Sequence, residues 1–237
     1  WGRNGNSFMA SSIEFIAASD DYGAIPQPYL SRKFMPDWFK KLESKLNTGF
    51  SASTIKRCPP FLDAMQVGWI IPLAGDVYFK VNEDCSGVTY EWTYHKPLVE
   101  NHSVEQLSGK VKHPAYPAHP MKFLNYWQIK VKSGWSCLFL PPMNRGNEEF
   151  ECISGIVECD KYPEYINFPF IWKKPNFDGI IKAGTPLIQV IPFKRSMLKK
   201  DFKCRQQTKK EIEELNLTRR KRASHESYYR DELWVKK

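Results

Sequence analysis

Between Trp69 and Phe193 apolar residues recur at every second position in run after run, the period of a strand with one buried face. The pattern is strictest at Val88, Tyr90, Trp92 and Tyr94. Upstream, Trp69 to Leu73 and Val77 to Val81 flank Gly75-Asp76, and Asn82 to Gly87 has the polar, Gly-ended make-up of a hairpin loop. Phe123 to Val131 and Trp135 to Leu140 are expected to form a hairpin about Ser133-Gly134. Phe150 to Tyr162, Ile166 to Phe170 and Ile181 to Phe193 continue the pattern, broken by Gly155, Gly179 and Gly184. About nine strands follow one another with no helix between them, which predicts a mainly β protein: an antiparallel sandwich or jelly roll over 69–195.

The flanks have a different rhythm. Pro36 opens a predicted helix whose Trp38, Leu42 and Leu46 recur at helical spacing, with Lys40, Lys41 and Lys45 on the wet side. A second short helix is expected over Phe61 to Val67, ended by Gly68. Ile13 to Ala18 alternates weakly, as an edge strand does. These elements make residues 9–68 an N-terminal segment of extended chain and two short helices, and residues 1–8, before Met9, read as a leader. His95 to Pro120 holds four prolines and four of the five histidines, and is expected to be a long loop or flap. From 196 to 237 the chain reads as a charged helical arm: a helix over Gln206 to Thr218, a basic cluster from Arg219 to Arg222, and an aromatic end from Tyr228 to Trp234.

Charge sharpens this division. The net charge is +9 over 237 residues, but Lys194 to Lys237 holds 15 Lys and Arg against 7 Asp and Glu. The globular part is therefore almost neutral and the arm carries the basic character. Such an arm can contact nucleic-acid phosphates, or dock on its own domain, on another copy or on a partner protein, since its aromatic end favours burial. No stretch reaches the ~18 uninterrupted apolar residues of a membrane span. The six cysteines form no Cys-x-x-Cys pair, so they are expected to be reduced thiols in a cytoplasmic compartment rather than a zinc site.

Three short motifs carry a resemblance. Pro142 to Arg145, then Gly155-Ile-Val-Glu158-Cys-Asp160-Lys-Tyr162, then Gly184-Thr-Pro-Leu-Ile-Gln189 occur in the order and at about the spacing of the dUTPase and dCTP deaminase superfamily, which this stretch resembles. The resemblance implies a β-clip jelly roll, with Glu158 where the family's water-orienting acid stands, Arg145 on phosphate and Mg²⁺ as the metal of a nucleotide hydrolase. Asn144-Arg145-Gly146 lacks the hydroxyls of the family's phosphate loop, and Tyr162 is displaced by one residue. A shared fold with little or no catalysis is thus the expectation. The chain as a whole, including Lys56-Arg-Cys-Pro-Pro-Phe-Leu-Asp, is also similar to a family of tailed-phage and bacterial proteins with no established activity. That likeness implies a phage-associated protein with a ligand-binding or assembly role, homo-oligomeric or bound to a phage partner, in host cytoplasm or virion.

The candidate site follows. Glu158 and Asp160, two apart on a strand, would share a face about 7 Å apart and could activate water, or could be solvated acids at a strand end. Asn144, Arg145, Tyr162 and Gln189 are the candidate ligand-binding residues around them. No cofactor is implied outside the nucleotide reading, which brings Mg²⁺ with it. A third reading places a metal on His95, His102, His113 and His119 of the flap. Tyr90, Trp92 and Tyr94 are either core or a stacking platform.

Overall fold

A computed structural model describes residues 13–46, 52–103, 106, 120–198, 201–225 and 227–235. The expected leader, most of the expected flap, His113 and His119 lie outside the described residues. The chain divides into two compact units, Trp1–Phe34 with Met65–Met197, and Met35–Ala64 with Leu198–Lys237.

The first strands in chain order are β1 (Ile13–Ile16), β2 (Tyr29–Leu30), β3 (Lys45–Leu46), β4 (Ala52–Ser53), β5 (Trp69–Pro72) and β6 (Val77–Val81). Next come β7 (Val88–Trp92), β8 (Val99–Asn101), β9 (Met121–Phe123), β10 (Gln128–Val131) and β11 (Trp135–Leu140). The last are β12 (Phe150–Cys152), β13 (Gly155–Val157), β14 (Phe168–Trp172), β15 (Asp178–Ile181) and β16 (Pro186–Lys194). The helices used below are α1 (Asp37–Lys41), α2 (Pro59–Gln66) and α3 (Lys209–Ser224).

Every strand pairing among these is antiparallel, as strands joined by short turns require. In the first unit β13-β11-β16-β5-β2 form one sheet and β12-β14-β9-β8 another, with β15-β6-β7 and β1-β10 beside them, a β-rich, sandwich-like arrangement. Alternation sets the inward face: Val77, Phe79 and Val81 of β6 are buried while Lys80 is exposed. On the neighbouring β7, Val88, Tyr90 and Trp92 pack half-buried against the core, so they form a packing face. β16 has neighbours on both edges, and Ile188, Gln189 and Val190 are fully enclosed. Aromatic rings fill the middle: Phe123 stacks on Phe170 with centroids 3.9 Å apart, and Phe79 meets Trp172 edge-on at 4.9 Å.

Two expectations need correction. The expected pairing of the 123–131 and 135–140 segments does not form: β10 pairs with β1, in the register Ile13↔Val131. The reason lies in β11, whose two edges are taken by β13 and β16. The long first helix shrinks to α1, because Leu42 turns extended and the Lys56 ammonium draws the carbonyls of Lys40 and Leu42 to 2.8 and 2.9 Å. Leu46 then enters β3, which pairs with β4. Phe39 becomes the buried residue, stacked on Phe61, while Trp38 and Leu46 are 44% and 46% exposed. In the second unit α3 is longer than expected and takes in the basic cluster from Arg219 to Arg222.

Candidate functional site

The acidic-cleft residues divide by their hydrogen bonds. Arg145 is 8% exposed, and its guanidinium turns inward. It donates to the carbonyls of Ser31, Phe34 and Met65 and to the Ser31 hydroxyl, and lies 5.2 Å from the Phe34 ring centroid. Burial lowers its pKa, the usual effect of desolvation on a cation, yet three carbonyl dipoles favour the charged form. Gln189 is fully buried: its Oε1 accepts from Met143 N at 2.8 Å and its Nε2 donates to Val67 O at 2.6 Å. Both side chains thus tie the 141–146 loop and β16 to the chain around the end of α2, a structural role.

Asp160 is held elsewhere. Arg195 binds it with two N–H groups at 2.6 and 2.7 Å, and Gly134 N donates to it at 2.8 Å. The Arg195 bonds, first of all, hold the Asp160 carboxyl well below the usual carboxylate range. Glu158 is exposed on the same turn, where its charge helps raise the Arg195 pKa, and its carbonyl accepts from the N–H groups of Lys161 and Tyr162. Asn144 is exposed at φ +58°, and Tyr162 is 45% exposed. The acids therefore gather around Arg195, and Arg145 donates instead to three main-chain carbonyls and the Ser31 hydroxyl.

All six cysteines are free, with Cys58 and Cys204 exposed. Cys137 and Cys159 lie against each other in the core, and their contact, with burial, pushes the Cys137 thiol far above its ordinary value. Of the histidines, His102 shares a 2.8 Å hydrogen bond with Gln106, and His95 lies 3.6 Å from Asp20.

The second unit holds a different site. A cavity of about 470 Å³ is lined by Lys45, Lys56, Arg57, Leu62, Arg230 and Trp234 among others, and among the described residues no acidic side chain lines it. Thr54 sets up the local geometry by capping the turn Ile55–Arg57, which presents Lys56 and Arg57 side by side. Arg57 donates to Ser53 Oγ at 3.3 Å and to Ser227 Oγ at 2.6 Å, so the C-terminal segment closes one wall. Trp234 is fixed by its indole N–H on Asp63 at 3.1 Å, and the Arg230 guanidinium rests against Asp231 at 2.8 Å. Four long cations and an indole at one opening suit an anion that carries a planar group.

No protein-family model matches the chain, and no curated protein matches it.

The surroundings share the sign of the cavity. Met35–Ala64 and Leu198–Lys237 together hold 18 Lys and Arg against 10 Asp and Glu, a surplus of +8 out of the whole chain's +9. α3 begins with a reciprocal cap between Thr208 and Glu211, and Arg205 grips Glu211 at 2.5 and 2.7 Å, holding its carboxyl down at about 2. It has no buried residue, and Arg219, Arg220, Lys221 and Arg222 are all exposed. The basic cluster was visible in the sequence. The cavity was not, because Arg57 and Arg230 stand 173 positions apart and no periodicity joins them.

Proposed function

We propose that this is a non-catalytic binding protein that holds single-stranded nucleic acid through its basic unit, with the β-rich unit as scaffold. The observation that carries the reading is the cavity lined by Lys45, Lys56, Arg57, Arg230 and Trp234 inside a unit with nearly all the chain's net charge. A phosphate meets the cations, a base lies against the indole, and the exposed cations of α3 contact further backbone phosphates. In this reading the scaffold is a β-clip jelly roll of the phage-associated kind; the antiparallel pairing of its strands supports its β-rich, sandwich-like part. Assembly with further copies or with a phage partner belongs to the same reading. A second one, Mg²⁺-dependent nucleotide hydrolysis at Glu158 and Asp160, has the exposed Glu158 carboxylate in its favour and the engagement of Asp160 by Arg195 against it.

The test is fluorescence anisotropy of a labelled oligonucleotide over a salt series. Binding should weaken with a log–log slope of about −0.7 per phosphate contacted. Lys45→Ala and Arg230→Ala should each lower affinity severalfold and flatten the slope. Unchanged binding in both variants would remove the proposal, and dUTP hydrolysis by the wild type in Mg²⁺ would favour the second reading.

A further inference from the structure

A separate cluster lies in the β-rich unit, where the turn after β1 meets the bend after β7. Asp20, Asp21 and His95 each bring one ligand atom there, and these atoms lie within 4.8 Å of one another. Asp21 is fully buried, and its two oxygens differ sharply. Oδ1 accepts from the Tyr94 hydroxyl at 2.5 Å and from the Lys96 ammonium at 2.8 Å, whereas Oδ2 is enclosed and accepts no hydrogen bond among the described residues. A buried carboxylate oxygen with no partner is costly, and a cation bound by this carboxylate would offset that cost.

We propose that Asp20, Asp21 and His95 form a binding site for a borderline divalent cation of the Zn²⁺ and Co²⁺ class. Two carboxylates and an imidazole suit these ions better than Ca²⁺ or Mg²⁺, which prefer oxygen alone. Tyr94 orients the buried ligand, as partners one step out from a metal commonly do. The side chains of Asp20 and His95 are 56% and 55% exposed, which gives an ion a way in from solvent.

Lys96 is the competitor. Its ammonium bridges Asp20 at 2.7 Å and Asp21 at 2.8 Å, one positive charge between two negative ones. A divalent ion replaces that charge with two. The displaced ammonium already lies 5.5 Å from the centroid of the Tyr126 ring, and a flexible stem lets it stay over that ring after leaving the carboxylates.

The experiment is a Co²⁺ titration of the full chain, followed by visible absorption and calorimetry, on wild type, Asp20→Asn, His95→Gln and Lys96→Met. Near-UV circular dichroism confirms that each variant is folded. Wild type should bind one equivalent with nitrogen and oxygen ligation, Asp20→Asn and His95→Gln should each weaken it at least tenfold, and Lys96→Met should tighten it. Equal affinity in all four proteins overturns the site. So does a cobalt–thiolate charge-transfer band, which would assign the ion to a cysteine such as the exposed Cys58 or Cys204. If Lys96→Met leaves the affinity unchanged, ammonium and ion do not share the carboxylates, and the site as described is wrong.

Discussion

At the scale of single residues, the side chains with the strongest chemical promise in the sequence do structural work. Arg145 satisfies carbonyls near the end of α2, and Gln189 makes one bond on each side of its amide. Asp160 is the residue with a measurable signature. Because Arg195 depresses its folded pKa, Asp160 binds fewer protons in the folded than in the unfolded chain. Its stabilising contribution is therefore complete above the unfolded carboxylate value, about 3.9, and is lost as pH falls from there toward the folded pKa. Chemical denaturation from pH 6 down to pH 2 should show wild-type stability dropping through this window. Asp160→Asn should be less stable at pH 6 and lose less on acidification. Parallel pH profiles for the two proteins would mean that the Arg195 pair contributes nothing to folding.

At the scale of elements, strands with one buried face were legible, and so was the β6–β7 hairpin about Asn82 to Gly87, whereas the partner of β10 was not. β6 matches the alternation over Val77–Val81, because Lys80 must face water while Phe79 faces the core. The period carries no information about which strand lies alongside, so β10 could not be assigned to β1 rather than β11. α1 was misread because its Trp38, Leu42, Leu46 spacing is helical, while what ends the helix is the Lys56 ammonium, 14 residues beyond Leu42. Gly68 was legible for a local reason. It sits at φ +75°, where the chain leaves α2 for β5, and a Cβ there would lie 2.1 Å from the Val190 carbonyl oxygen of β16. Gly68→Ala must therefore accept a strained backbone and also push β5 away from β16. Thermal or urea unfolding should show a loss of about 1–3 kcal/mol. A loss of a few tenths would show that the β5–β16 register relaxes at little cost.

At the scale of the whole chain, charge and sheet are divided between two units, and the second unit is assembled from two distant stretches. Met35–Ala64 supplies α1, Lys56 and Arg57, while Leu198–Lys237 supplies α3, Arg230 and Trp234, so the basic cavity exists only when both are present. This is why the candidate site was invisible in the sequence although its most basic segment was plain. The β-rich unit, by contrast, contains its own buried aromatic cluster of Phe79, Phe123, Phe170 and Trp172. A chain ended after Met197 should therefore keep the near-UV circular dichroism of that cluster. It loses 13 Lys and Arg with 7 Asp and Glu, which takes the net charge from +9 to +3. Oligonucleotide binding should fall to background, and elution from a cation exchanger should shift to lower salt. Retained binding in a folded truncation would place the nucleic-acid surface on residues before Leu198 and remove the arm from the proposal. A cluster packed from its own unit's strands has no need of residues beyond it, so collapse of the near-UV signal would show instead that the β core depends on the arm.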